Sequence, residues 1–125
     1  MAAAAATLGV PVVLIEKGRM GGECLNAGCV PSKAMIAAGK RAQVFRSSEP
    51  FGIKPVRPGV EFDEVNDHIH RVINAIAPND SKERFTGLGV RVIEGEARFR
   101  DTRTVIVGQE PDIKFEIKAR RFVIA

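Results

Sequence analysis

The hydrophobic pattern changes character three times along the chain. Val10 to Glu16, "VPVVLIE", is a continuous apolar run closed by an acid. It is short and β-branched, which predicts a buried parallel strand. Ahead of it, "AAAAATLG" is strong helix former with Gly9 placed as a cap. Helix, tight turn and buried strand form the second half of a βαβ unit, and no strand or Gly-rich turn stands before the alanines. From "PSKAMIAAGKRAQVF" the spacing predicts a helix whose bulkier apolar members are Met35, Ile36, Val44 and Phe45, with Ala37 and Ala38 allowing close approach. A Pro/Gly-rich loop, "FGIKPVRPGV", follows.

"EFDEVNDHIHRVINAI" predicts a second helix, with Phe62, Val65, Ile69, Val72, Ile73 and Ile76 at three- and four-residue steps. Pro78 should break it, and "NDSKERFTGLG" restarts a turn or two with Asn79 or Asp80 as cap. The remainder is strand-like, and turn signals at "RDTR" and "GQEPD" imply an antiparallel meander. The last run, Arg121 to Ala125, again has the look of a buried strand. Val10–Glu16 and Arg121–Ala125 are expected in one mostly parallel sheet, with residues 96–118 as a separate antiparallel layer. No internal repeat is apparent, and no low-complexity segment beyond the alanines.

Composition narrows the class. A chain of 125 residues, 45% hydrophobic, is enough for one domain with a core and is not disordered in composition. No apolar run approaches the roughly 20 residues of a membrane-spanning helix. The opening lacks a basic segment and a cleavage site, so it does not read as a signal peptide. A cytoplasmic protein is the expectation, without a membrane partner. The net charge of +4 is modest, its basic residues are scattered, and only Phe is available to stack bases. Nucleic-acid binding would want a denser stripe.

The chemistry is concentrated in "GGECLNAGCVPSK", residues 21–33, which holds both cysteines. In a reducing compartment two cysteines are more often filler, metal ligands or a redox pair than a staple. On an ideal helix, positions five apart are separated by about 7.5 Å and point roughly 140° apart. Cys24 and Cys29 can bridge only if the chain between them is loop or a distorted first turn. "LNAG" permits this, since Asn26 and Gly28 tolerate unusual backbone angles. Pro31 suits an early helical position, so a thiol pair would sit at a helix N-terminus, where the thiolate is favoured. Lys33 adds positive charge nearby. A zinc site would need His68 and His70, which are two apart and face different sides of a helix.

The stretch Gly21, Gly22, Cys24, Asn26, Gly28, Cys29, Pro31, Ser32 and Lys33 resembles the redox-disulfide signature of the class I pyridine nucleotide-disulfide oxidoreductases. "VVLIEKGRMGGEC" resembles the family's second strand, its acid eight residues ahead of the first cysteine. "GLGVRVIEGEARF" and "RFVIA" resemble the stretch leading to its flavin-contacting turn. The resemblance is tight over residues 10–33 and looser from about residue 60. It implies residues 1–125 as a partial FAD/NAD(P)-binding domain: an incomplete Rossmann-like α/β fold with a small antiparallel β-meander.

The same resemblance implies roles. Glu16 would hold the adenosine ribose of FAD, as dinucleotide-binding logic also expects of an acid at a strand end. Gly21, Gly22 and Glu23 would line the pyrophosphate and ribityl region. Cys24 would face the disulfide substrate and Cys29 the flavin. Lys33 would steady negative charge on the ring, and Ala97 would touch the adenine through its backbone. Electrons would run from NAD(P)H to FAD, to a Cys24–Cys29 disulfide, and out to a small-molecule disulfide or Hg(II).

The family's G-x-G-x-x-G turn, its nicotinamide domain and its dimerisation domain are not among these residues, so the chain reads as part of a longer homodimeric enzyme. The alternative is a stand-alone dithiol or thiol-metal binding module without flavin. "CLNAGCVPSKAMI" is closer to the dihydrolipoamide dehydrogenase and mercuric reductase branch than to glutathione reductase. The mercury-specific thiols of that branch lie outside this segment.

Overall fold

The computed structural model describes residues 1–109 and 111–125. These fall into two units, Met1–Met20 with Lys82–Ala125, and Gly21–Ser81.

In the first unit, helix α1 (Ala2–Thr7) leads into strand β1 (Val13–Glu16). Farther along the chain, helix α5 (Lys82–Gly87) leads into strand β2 (Arg91–Glu94). Both helices stop in the same way. Gly9 N–H reaches the Ala6 carbonyl and Val10 N–H the Ala5 carbonyl; Gly89 and Val90 do the same toward Thr86 and Phe85. This is the glycine-terminated helix end that satisfies the last carbonyls. The similarity extends to sequence, Leu8-Gly9-Val10 against Leu88-Gly89-Val90, each followed by a strand ending in Ile-Glu. The two strands pair in parallel from Val13↔Arg91 to Glu16↔Glu94. A short internal likeness therefore exists where none was expected.

Strands β3 (Ala97–Asp101), β4 (Thr104–Gln109) and β5 (Asp112–Lys118) form the antiparallel meander, in the order β3-β4-β5. Glu110, within the GQEPD turn signal, lies outside the described residues. The central strand carries the core, with Thr104, Val105, Ile106 and Val107 all buried. Arg100 forks onto Glu116 through two hydrogen bonds of 2.7 and 2.6 Å across the sheet.

The expected terminal strand does not form. Residues 121–125 make no ladder, and Val123 and Ile124 stay exposed; Phe122 alone is fixed, edge-on to Phe99 with centroids 5.0 Å apart. An apolar run becomes a strand only beside an edge that accepts it. Among the described residues, β1 pairs with β2, and nothing bridges it to residues 121–125.

The second unit is helical. Helix α2 (Gly22–Asn26) is followed by α3 (Cys29–Arg46), a 3₁₀ turn at Glu49–Phe51, α4 (Phe62–Ile76) and a second 3₁₀ turn at Ala77–Asp80, where Pro78 breaks the helix as expected. In α4, Ile69 is buried and Val65, Val72, Ile73 and Ile76 half-buried, but Phe62 at the helix start is exposed. The inward face of α3 is also not the bulky one. Ala34 is buried with Ala38 and Ala42 half-buried, while Met35, Ile36, Val44 and Phe45 are exposed. An alanine every fourth residue lines one face and lets α3 lie close against α4.

Candidate redox-active site

The site residues fall in both units, and each set is described within its own. In the first unit Glu16 ends β1, and its Oε1 accepts the Gly18 N–H at 2.7 Å. That bond turns the carboxylate back over the start of the following loop and fixes its direction. Ala97 opens β3 opposite Val107 and is exposed.

In the second unit the chain enters α2 through two glycines with left-handed backbone, Gly21 at φ 88° and Gly22 at φ 62°. They differ in what surrounds them. A Cβ on Gly21 would lie 2.9 Å from Leu25 Cβ, whereas one on Gly22 would meet nothing within 4 Å. Leu25 is buried and anchors α2. Asn26 does not adopt unusual backbone angles, contrary to expectation; it closes α2 and donates its side-chain amide to the Gly22 carbonyl at 2.8 Å.

Gly28 takes unusual backbone angles as expected, φ −107° and ψ −100°, outside the α and β regions, and a Cβ there would also lie 3.3 Å from the Glu23 carbonyl oxygen and 3.7 Å from Cys24 Cα. Glu23 O already accepts the N–H groups of Ala27 and Gly28, at 2.9 and 2.7 Å. The bare backbone of Gly28 thus lets α3 start hard against the end of α2.

That close start is what brings the cysteines together. Cys24 lies within α2 and Cys29 is the first residue of α3, so the intervening chain is a broken helix and the Cα atoms are 4.7 Å apart. This is inside the range a disulfide accepts, and Cys24 and Cys29 are disulfide-bonded. Both residues are exposed. Pro31, third in α3, lacks an N–H where no intrahelical partner exists. Lys33 is exposed one turn beyond Cys29, on the same helix face. Among the described residues no group of three or more His, Cys, Asp or Glu is arranged to hold a metal ion.

These residues suit FAD in kind. A carboxylate fixed at the end of a parallel strand is an acceptor for ribose hydroxyls. The open space at Gly22 leaves its backbone bare to a close-lying group. Two features escaped the sequence reading: Leu25 as the anchor of α2, and Glu94 directly opposite Glu16. The matching Leu-Gly-Val and Ile-Glu steps before the two acids were the signal for the second.

Comparison with known proteins places the arrangement. The family of pyridine nucleotide-disulphide oxidoreductases matches residues 1–125. Dihydrolipoyl dehydrogenases of Geobacillus stearothermophilus and Bacillus subtilis are each 39% identical, covering 82% and 85% of this chain and 22% of their own length. The chain thus spans about a fifth of the curated relatives it matches. Among solved structures, LpdA from Mycobacterium tuberculosis superposes with a TM-score of 0.73 at 20% identity, over 94% of this chain and 27% of its own. The flavoprotein disulfide reductase RclA from Escherichia coli, a Cu(II) complex, gives 0.68 at 19%, over 99% and 26%. The parallel pair and the three-stranded meander match the FAD-binding region of such reductases, and the family uses FAD and NAD(P)H. The chain belongs to the pyridine nucleotide-disulphide oxidoreductase family.

Proposed function

We propose that this chain is the redox-disulfide segment of an FAD-dependent dithiol–disulfide oxidoreductase of the dihydrolipoyl dehydrogenase type. The observation that carries the reading is the exposed Cys24–Cys29 disulfide at the start of α3. A substrate thiolate attacks Cys24 Sγ, the protein S–S bond breaks, and Cys29 Sγ leaves as a thiolate. The second substrate thiolate then attacks the substrate sulfur of the mixed disulfide and releases Cys24. Two electrons pass to the protein pair, the substrate leaves as a disulfide, and its two thiol protons go to solvent or a nearby base.

Cys29 as leaving group is favoured because the α3 N-terminus and Lys33 both stabilise negative charge there. Bound FAD supplies the two-electron acceptor that reoxidises the pair, with NAD(P) as the outlet. Glu16, Gly21, Gly22, Glu23, Cys24, Lys33 and Ala97 are the residues assigned to flavin contact, Glu16 through its carboxylate and Ala97 through its backbone. The dihydrolipoyl dehydrogenase relatives favour a dithiol over Hg(II) as partner. Family likeness supports a homodimeric, cytoplasmic full-length protein.

Stopped-flow reduction of the full-length flavoprotein by dihydrolipoamide tests this. Flavin reduction is expected in the native protein and lost in Cys24→Ser and Cys29→Ser. Retention of dihydrolipoamide-driven reduction in both variants overturns the reading, and reduction of Hg(II) in preference to a disulfide overturns the substrate assignment.

A further inference from the structure

Glu16 and Glu94 are register partners at the ends of two parallel strands, so their side chains leave the same face of the sheet. Two carboxylates opposed in this way repel. Glu16 is already committed in direction by the Gly18 N–H. Glu94 is taken the other way: Lys82 Nζ, on the first residue of α5, donates to its Oε1 at 2.7 Å. Helix α5 packs on β2, which holds the ammonium beside the strand end. The same pairing holds the Lys82 ammonium above its ordinary value, with its hydrogen bond to Glu94 as the largest cause.

We infer that Lys82 is a positioning residue for flavin binding: by neutralising Glu94 it keeps Glu16 correctly aimed as the ribose acceptor. This rests on the reading of Glu16 as the ribose contact. Without Lys82, the unneutralised Glu94 carboxylate pushes Glu16 off the Gly18 N–H that aims it, and the ribose hydroxyls lose an oriented acceptor. Lys82 itself needs no contact with the cofactor.

The test is FAD affinity of the full-length apoprotein, measured by flavin fluorescence quenching at low ionic strength. A like-charge cross-strand contact corresponds to about a two- to fivefold weakening for Lys82→Met. Lys82→Arg should match the native protein, and Lys82→Met with Glu94→Gln should restore native affinity. A merely structural role for Lys82 would not be rescued by removing its partner's charge. The loss should also shrink at 1 M salt, where the Debye length is about 3 Å.

Thermal unfolding of the flavin-free protein gives a second readout. Lys82→Met should lower the midpoint when Glu16 is present and much less when it is Gln, and Glu94→Gln should again restore it. If Glu16→Gln weakens FAD but Lys82→Met does not, the inference falls and the ribose contact stands. If Glu16→Gln binds FAD as tightly as the native protein, the ribose reading falls, and the positioning role falls with it. If the unfolding midpoint of Lys82→Met is indifferent to residue 16, the charge arrangement itself is refuted.

Discussion

Replacing Gly21 with alanine separates two demands that the entry to α2 makes on its backbone. Gly21 and Gly22 both have positive φ, 88° and 62°. An alanine forced into that region costs about 1–2 kcal/mol at either position. Only at Gly21 does the new methyl also run into Leu25, with 2.9 Å to Cβ and 3.1 Å to Cγ. Leu25 is 3% exposed, so it has no empty space to move into. Displacing a packed side chain adds about 1–3 kcal/mol. Alanine also restricts the unfolded chain, which offsets about 0.4–1 kcal/mol at both sites.

The expected losses are therefore about 1–4.5 kcal/mol for Gly21→Ala and about 0–1.5 kcal/mol for Gly22→Ala. The difference isolates the Leu25 contact, because the backbone and unfolded-state contributions are shared. Urea unfolding of the 125-residue chain followed by far-UV circular dichroism reads both losses in the same buffer. If Gly21→Ala is no more destabilising than Gly22→Ala, Leu25 does not anchor α2 and the reasoning fails.

Three further outcomes are expected. Thiol titration of the native chain should find no free thiol as isolated under air and two after mild reductant; two thiols that stay unreactive after reduction would contradict an accessible pair. The 125-residue polypeptide should bind FAD weakly or not at all, since no G-x-G-x-x-G turn occurs within it and its backbone N–H groups are what hold the pyrophosphate; stoichiometric co-elution of flavin would overturn this. The Arg100 hydrogen bonds hold the Glu116 carboxyl below its ordinary value, and the Arg103 and Thr104 groups do the same for Asp101. Depressed carboxyls contribute stability that is present above their unfolded values and lost as pH falls through the folded ones. The meander should therefore weaken below pH 4.5, the ordinary value for Glu, and Glu116→Gln should flatten that pH dependence of the melting temperature.

Local patterns were legible where one segment determines its own state. The alanine run, the amphipathic α4 and the meander all arise from spacing and turn residues that act within a few positions; the buried strand expected over Val10–Glu16 forms only over Val13–Glu16, exposed or half-buried throughout. What was not legible depended on a neighbour. Arg121–Ala125 has strand composition, yet no edge accepts it among the described residues. In α3 the bulky Met35, Ile36, Val44 and Phe45 stay exposed; close approach was expected of Ala37 and Ala38, and Ala38 does lie inward with Ala34 and Ala42, while Ala37 is exposed. Gly28 has the unusual angles its type suggests, but its second constraint, the Glu23 carbonyl, is brought near only by the folded junction. The opposed pair Glu16 and Glu94 required the parallel register before it had meaning.

The α2–α3 junction also decides what kind of disulfide this is. A bridge across five positions closes so short a loop that the chain-entropy model gives it about 2 kcal/mol, against about 4.7 kcal/mol for a 100-residue loop. Other contacts hold the same junction. Leu25 is buried, the Asn26 side chain closes on Gly22, and the Glu23 carbonyl takes two N–H groups from the residues that link the helices. Breaking the S–S bond leaves all of these in place. The two sulfurs therefore stay near bonding distance in the reduced protein, exposed to a substrate and at the end of an 18-residue helix. A staple concentrates its effect on the unfolded chain and is buried from thiols; this pair has a small loop, an exposed bond and a junction that keeps its shape without it. Those are the properties that let a disulfide open and close repeatedly at little cost to the fold.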